Sequence, residues 1–85
     1  MGEKEKIGEV FTYFSKIGVA GLRINKGELK VGDTITIEGH STNLTQKVES
    51  MQMDHGPVQV AKKGDEIGIK VKEKVRNSDL VYKIL

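Results

Sequence analysis

Apolar and polar residues alternate along this chain in short runs, and runs with helical spacing are nearly absent. Alternation of this kind is the period of a strand with one face buried. The stretch "IGEVFTYF", Ile7 to Phe14, is rich in the aromatic and branched residues that strands favour. From Ile17 to Ile24 the pattern sets Ala20, Leu22 and Ile24 on one face. Ile35 and Ile37 then oppose Thr34, Thr36 and Glu38. Thr45 to Met53 reads as one long strand whose phase slips around Ser50, as at a bulge. Val58 to Ala61 is short. Glu66 to Lys72 sends Ile67, Ile69 and Val71 inward and Gly68, Lys70 and Lys72 outward, and Leu80 to Leu85 closes the chain. Short strands at this spacing, with ten glycines, predict an all-β fold. The expected form is a small closed antiparallel β-barrel of about six to seven strands. Closure would also remove the exposed edges that so small a sheet protein tolerates badly.

Eighty-five residues suit a single domain with a modest core, here taken as 1–85. Residues 1–6, "MGEKEK", are charged and are expected to form a disordered tail. There is no cysteine, so neither disulfides nor thiolate metal sites are available. The N-terminus lacks the apolar run of a signal peptide, and no stretch approaches the roughly 20 apolar residues of a membrane helix. Gly2 follows Met1, but Lys6 stands where a myristoylation signal needs Ser or Thr. These features predict a cytoplasmic protein with no membrane partner.

The net charge of +2 is too small to imply a polyanionic partner. Its distribution says more. Lys62, Lys63, Lys70, Lys72, Lys74 and Arg76 outnumber Asp65, Glu66 and Glu73 within 62–76. A surface carrying these six cations could track phosphates, with affinity falling as salt rises. The competing reading is a solvated face that maintains solubility. Base stacking would need Phe11 or Tyr13 exposed.

The stretch "GELKVGDT", Gly27 to Thr34, nearly spells a phosphate-binding loop, but Asp33 stands where the lysine belongs. A carboxylate there would repel the phosphates that the lysine attracts. The alternating residues that follow read as a strand instead of the helix such a loop requires. Val31-Gly32-Asp33, Lys63-Gly64-Asp65 and Asn77-Ser78-Asp79 share one grammar, an aspartate placed just before an apolar strand. Glycine permits positive φ, and the carboxylate accepts backbone N–H bonds that a turn leaves free. Gly32, Asp33, Gly64, Asp65 and Asp79 are therefore expected to be structural turn residues.

Taken together, the motifs resemble the second, β-barrel domain of translational GTPases such as elongation factor Tu. Gly8-Glu9-Val10 matches the opening strand, and Gly27-Glu28-Leu29-Lys30-Val31-Gly32-Asp33 matches the first turn. Val48, Ser50, Met51, Gln52 and Met53 follow, then Ala61, Gly64, Asp65, Ile67 and Gly68. Val75, Arg76, Asp79, Leu80 and Val81 complete the order. "YFSKIGVA" and "TQKVESMQ" look like the small translation elongation factor-like proteins. The C-terminal barrel of collagenase-like peptidases is similar too. The elongation-factor resemblance implies a translation-protein barrel that contacts RNA or the ribosome. In the elongation factors a fourth-strand glutamate helps hold the aminoacylated 3′ end of tRNA, and Gln52 stands at that position. An amide keeps the hydrogen bonds and loses the charge.

Catalysis finds no footing in the sequence. His40 and His55 lack a second ligand at metal spacing, and Ser50, with Asp54 and His55 nearby, has no nucleophile elbow. Gly39 to Asn43, "GHSTN", reads as a polar loop between strands, suited equally to binding or to a plain connection. The expectation is a noncatalytic translation elongation factor-like module without metal or cofactor, contacting RNA or the ribosome. The alternative is a protein-interaction module that docks an enzyme or another partner protein. Because Asp33 replaces the lysine, titrating GTP and magnesium into the protein should give no heat of binding by calorimetry. A micromolar site would contradict this reading.

Overall fold

A computed structural model describes residues 3–53 and 56–85. Ten strands form in chain order: β1 Lys4–Phe14, β2 Val19–Ile24, β3 Glu28–Lys30, β4 Thr34–Glu38 and β5 Asn43–Lys47. They continue with β6 Met51–Met53, β7 Gly56–Val58, β8 Val60–Lys62, β9 Glu66–Lys70 and β10 Leu80–Ile84. Eight of them make one antiparallel sheet in the order β5-β4-β10-β1-β2-β9-β6-β7, and β3 pairs with β8 separately.

The all-β expectation stands, but the closed barrel of six to seven strands does not. The outer strands β5 and β7 are not paired with each other, so the eight-stranded sheet does not close on itself. A side chain spans part of the opening. Gln46 of β5 is 7 % exposed; its Nε2 donates to the Lys70 carbonyl at 2.7 Å, and its Oε1 accepts from Lys72 N–H at 2.9 Å. A primary amide has the same donor and acceptor as a peptide group, so Gln46 satisfies backbone groups at the end of β9.

The extra strands arise where the expected ones break. Thr45 to Met53 divides into β5 and β6, because both peptide groups of Val48 are spent elsewhere. Val48 N–H donates to the Asp33 carbonyl at 2.8 Å, and the Val48 carbonyl accepts from Gly32 N–H at 2.8 Å. Val58 to Ala61 is split between β7 and β8, and β9 ends at Lys70. At the N-terminus β1 already starts at Lys4. Lys4, Glu5 and Lys6 pair with Ile84, Lys83 and Tyr82, so these three residues of the expected tail belong to the sheet.

The turn that engages Val48 has two counterparts. Asp33 N–H reaches the Lys30 carbonyl, Asp65 N–H that of Lys62, and Asp79 N–H that of Arg76, at 3.0, 2.9 and 3.1 Å. The carboxylate of each aspartate accepts from the first residue's N–H, at 2.9, 2.9 and 2.8 Å. The third residue is left-handed each time: Gly32 at φ 101°, Gly64 at 96° and Ser78 at 74°. Its N–H donates to Val48, Ile24 or Val10, and the same core residue donates back to the aspartate carbonyl, all at 2.8–2.9 Å.

Ile7, Leu22, Ile24, Leu29, Ile35, Ile37, Met51 and Ile69 form the bulk of the core, each at most 2 % exposed. The third turn is the most enclosed. Asp79 is 5 % exposed and lies against Gly39, where a Cβ would come within 1.9 Å of Asp79 Oδ1. Asp79→Ala should therefore cost about 1–3 kcal/mol by leaving the Arg76 N–H without its acceptor. Denaturant unfolding checks this, with Asp33→Ala expected to cost less at its more open turn; a larger cost for Asp33→Ala would contradict it.

Candidate functional site

The register of β1, β2, β9 and β6 builds a depression on the outer face of the sheet. Thr12 faces Gly21, Gly21 faces Gly68, and Gly68 faces Gln52, so one row crosses four strands with two glycines at its centre. Residues in one row project to the same face, and strands lie about 4.7–4.9 Å apart. The neighbouring outward rows are Phe14–Val19–Lys70 on one side and Glu9–Arg23–Glu66 on the other. Between these rows, Leu22, Ile67, Ala20, Ile69 and Met51 point into the core and are buried. The result is a cleft of about 440 Å³ with one apolar wall, one charged wall and a glycine floor.

Phe11 closes one end. The β1–β2 register shifts between Val10 and Thr12, which makes Phe11 the extra residue of a bulge. Its ring covers Gly21, where an added Cβ would lie 3.0 Å from Phe11 Cζ and 2.7 Å from Thr12 Cγ2. The Arg23 guanidinium stands 5.3 Å from the Phe11 ring centroid. Both Nε and Nη2 of Arg23 donate to Glu66 Oε2, at 2.9 and 2.8 Å, which fixes the charged wall. Gln52, at the family pocket position, is exposed and closes the other end, with half-buried Gly68 between, flanked by Val19. Phe14 and Ile17, 52 % and 61 % exposed, stand on the β1–β2 hairpin beside the cleft.

The six basic residues named from sequence are all exposed. Lys62 and Lys63 lie in the turn before β9, and Lys70 ends β9, so about four strand residues, roughly 13 Å, separate them. Lys72 follows β9 beside Gln46, while Arg76 opens the third turn near Val10. Lys74 is exposed in the same connection. Gly32, Asp33, Gly64, Asp65 and Asp79 occupy the three turns described above. Phe11 is half-buried over Gly21, and Tyr13 packs against the core. His40 and Ser50 are exposed in connections, whereas Asp54 and His55 lie outside the described residues. Among the described residues no group of three or more His, Cys, Asp or Glu gathers to hold a metal ion. No helix there is long and apolar enough to cross a membrane.

The model of elongation factor Tu domain 2 matches residues 18–78. The chain belongs to that family. A collagenase of Porphyromonas gingivalis is 45 % identical over 82 residues, which is 95 % of this chain and 23 % of the collagenase. An uncharacterized protease of Methanocaldococcus jannaschii is 41 % identical over 80 residues, 93 % of this chain and 19 % of the protease. The chain thus spans about a fifth of these curated relatives. Among solved structures, the C-terminal domain of a Geobacillus thermoleovorans protein assigned as a U32 peptidase superposes with a TM-score of 0.86. The match covers 93 % of this chain and 91 % of that one at 23 % identity, and it shows the shared fold.

These matches confirm the double resemblance to the elongation-factor domain and to the peptidase C-terminal domain. They also correct the functional expectations. The expectations of a noncatalytic translation module contacting RNA or the ribosome, and of no enzyme, are overturned, because the extensive identities are to a collagenase and a protease.

No motif in the sequence joins Gly21, Gly68, Arg23 and Glu66 as a group. The available signal was a glycine at an outward position in each of two apolar strands, a mark of close approach by another group. Gly21→Ala should destabilise the fold by about 1–3 kcal/mol, since the methyl displaces Phe11 and Thr12. Gly68→Ala, whose nearest neighbour is Val19 Cγ1 at 3.2 Å, should cost less. Thermal unfolding of the two variants measures the difference, and equal losses would contradict the packing over Gly21.

Proposed function

We propose that the chain acts in peptide hydrolysis as the substrate-holding β domain of a peptidase. The observation that carries this reading is the 45 % identity to a collagenase across 95 % of the chain. Identity of that extent takes in the cleft-forming strands together with the core. The cleft supports the same reading, being concave, largely apolar and furnished with a few placed polar groups, the usual build of a ligand site. The catalytic groups are assigned to the remainder of the peptidase, since the relatives carry about four-fifths of their length beyond the matched part. The partner of the domain is then a protein chain, namely the unfolded segment about to be cut.

The test uses the chain immobilised and exposed to two pools, a digest of denatured protein and total RNA. Mass spectrometry of the eluate should show peptides retained uncut, with retention little changed between low and high salt. Salt-sensitive capture of RNA without peptides would contradict the proposal. Cleavage of the pool by this chain alone would contradict the division of labour.

A further inference from the structure

The depression over Gly68 has a more specific shape than a general peptide groove. Its floor is one residue without a side chain, and its sides are Phe11, Val19, Gln52 and Glu66, whose carboxylate is held from outside by Arg23. Phe11 already fills the space over Gly21, so the open floor is a single cup and not a continuous channel. We propose that this cup receives one bulky apolar side chain, aromatic by preference, from an extended uncharged peptide, while the Gln52 amide pairs with the peptide backbone.

Charge decides between this occupant and a polyanion. The floor and ends carry no formal charge, and the cation on the wall is engaged twice by Glu66. Glu9 and Glu66 oppose the single Arg23 in that row, so the wall has no net positive charge to offer a phosphate. Lys70, at the far end of the apolar row, is the cation of the opposite wall. A neutral side chain meets no desolvation cost from an unpaired charge here, whereas a phosphate finds one exposed lysine. The dimensions agree. Rows two residues apart stand about 7 Å from the central row, and Val19 Cγ1, 3.2 Å from a Cβ position on Gly68, supplies the apolar side against which a ring would pack. Among the described residues the Gln52 amide makes no side-chain hydrogen bond, and it carries both the donor and the acceptor that a peptide group needs.

The assignment rests on the peptidase reading, and the experiment separates the two. An acetylated and amidated Gly-Gly-Trp-Gly-Gly peptide is titrated into the isotopically labelled chain. The chain contains no Trp, so emission from the probe reports its own burial. A blue shift should appear together with amide shifts centred on Gly21, Gly68 and Gln52. A peptide with Ala replacing Trp should bind at least tenfold more weakly. Gly68→Val should lower the affinity for the Trp peptide at least tenfold; the mapping on the unaltered chain does not depend on how that variant folds. Shifts centred on Lys62 or Lys70, or equal binding of the Ala peptide, would overturn the cup while peptide capture from the digest still supported the peptidase role. Self-association through Phe14 and Ile17 that covers Gly68 would overturn it too. Failure to retain any peptide from the digest would remove both.

Discussion

Three core residues hold the chain together by spending both of their peptide groups on an aspartate-capped turn. Val10, Ile24 and Val48 each accept from a left-handed third residue and donate to the aspartate that follows it. All three side chains are 1 % exposed, so each anchor is at once a core contact and a backbone junction. A backbone hydrogen bond contributes only about 1 kcal/mol net, but leaving its buried partner unpaired costs about 1–3 kcal/mol. The turns therefore matter chiefly through what their absence would expose. In two of them the left-handed position is glycine; in the third it is Ser78, whose Cβ strain is offset by the most buried of the aspartates.

The same junctions position the cleft. Ile24 ends β2 and is tied to Asp65 immediately before β9, which sets the register that brings Gly21 opposite Gly68. Val10 is tied to Asp79 just before the β1 bulge that swings Phe11 over Gly21. Val48 is tied to Asp33, which stops β5 and lets the chain restart as β6 with Gln52 beside Gly68. A slip of one residue in any of these would turn the outward row toward the core. The cleft on the outer face thus depends on bonds made at the edges of the core.

Much of this was legible in the residues. Alternation around Leu22, Ile35, Ile37, Ile67 and Ile69 marked buried faces, because a period of two has one inward side whatever the topology. Sheet closure was not legible, since edge pairing depends on where strands stop. Val48 looks like another inward residue of one strand, and only its partner at Asp33 shows why the strand ends there. Gln46 carried a faint signal, a polar residue in phase with Leu44 and Val48, whose meaning needs the carbonyl of Lys70 in view. The cup over Gly68 depends on a register across four strands, which one strand's pattern does not contain. Function was harder still: the elongation-factor motifs report a fold that serves several chemistries, and the peptidase relation lies in overall identity more than in any motif.

Amide hydrogen exchange measures the central junctions directly. The N–H groups of Val10, Ile24 and Val48 should exchange among the slowest in the chain, at a common rate set by global unfolding. Val48 decides the matter, because it lies outside any strand and has no ladder to protect it. Protection of Val48 equal to that of Leu22 and Ile69 is the predicted result. Exchange of Val48 at the rate of the exposed 39–41 connection would contradict the account.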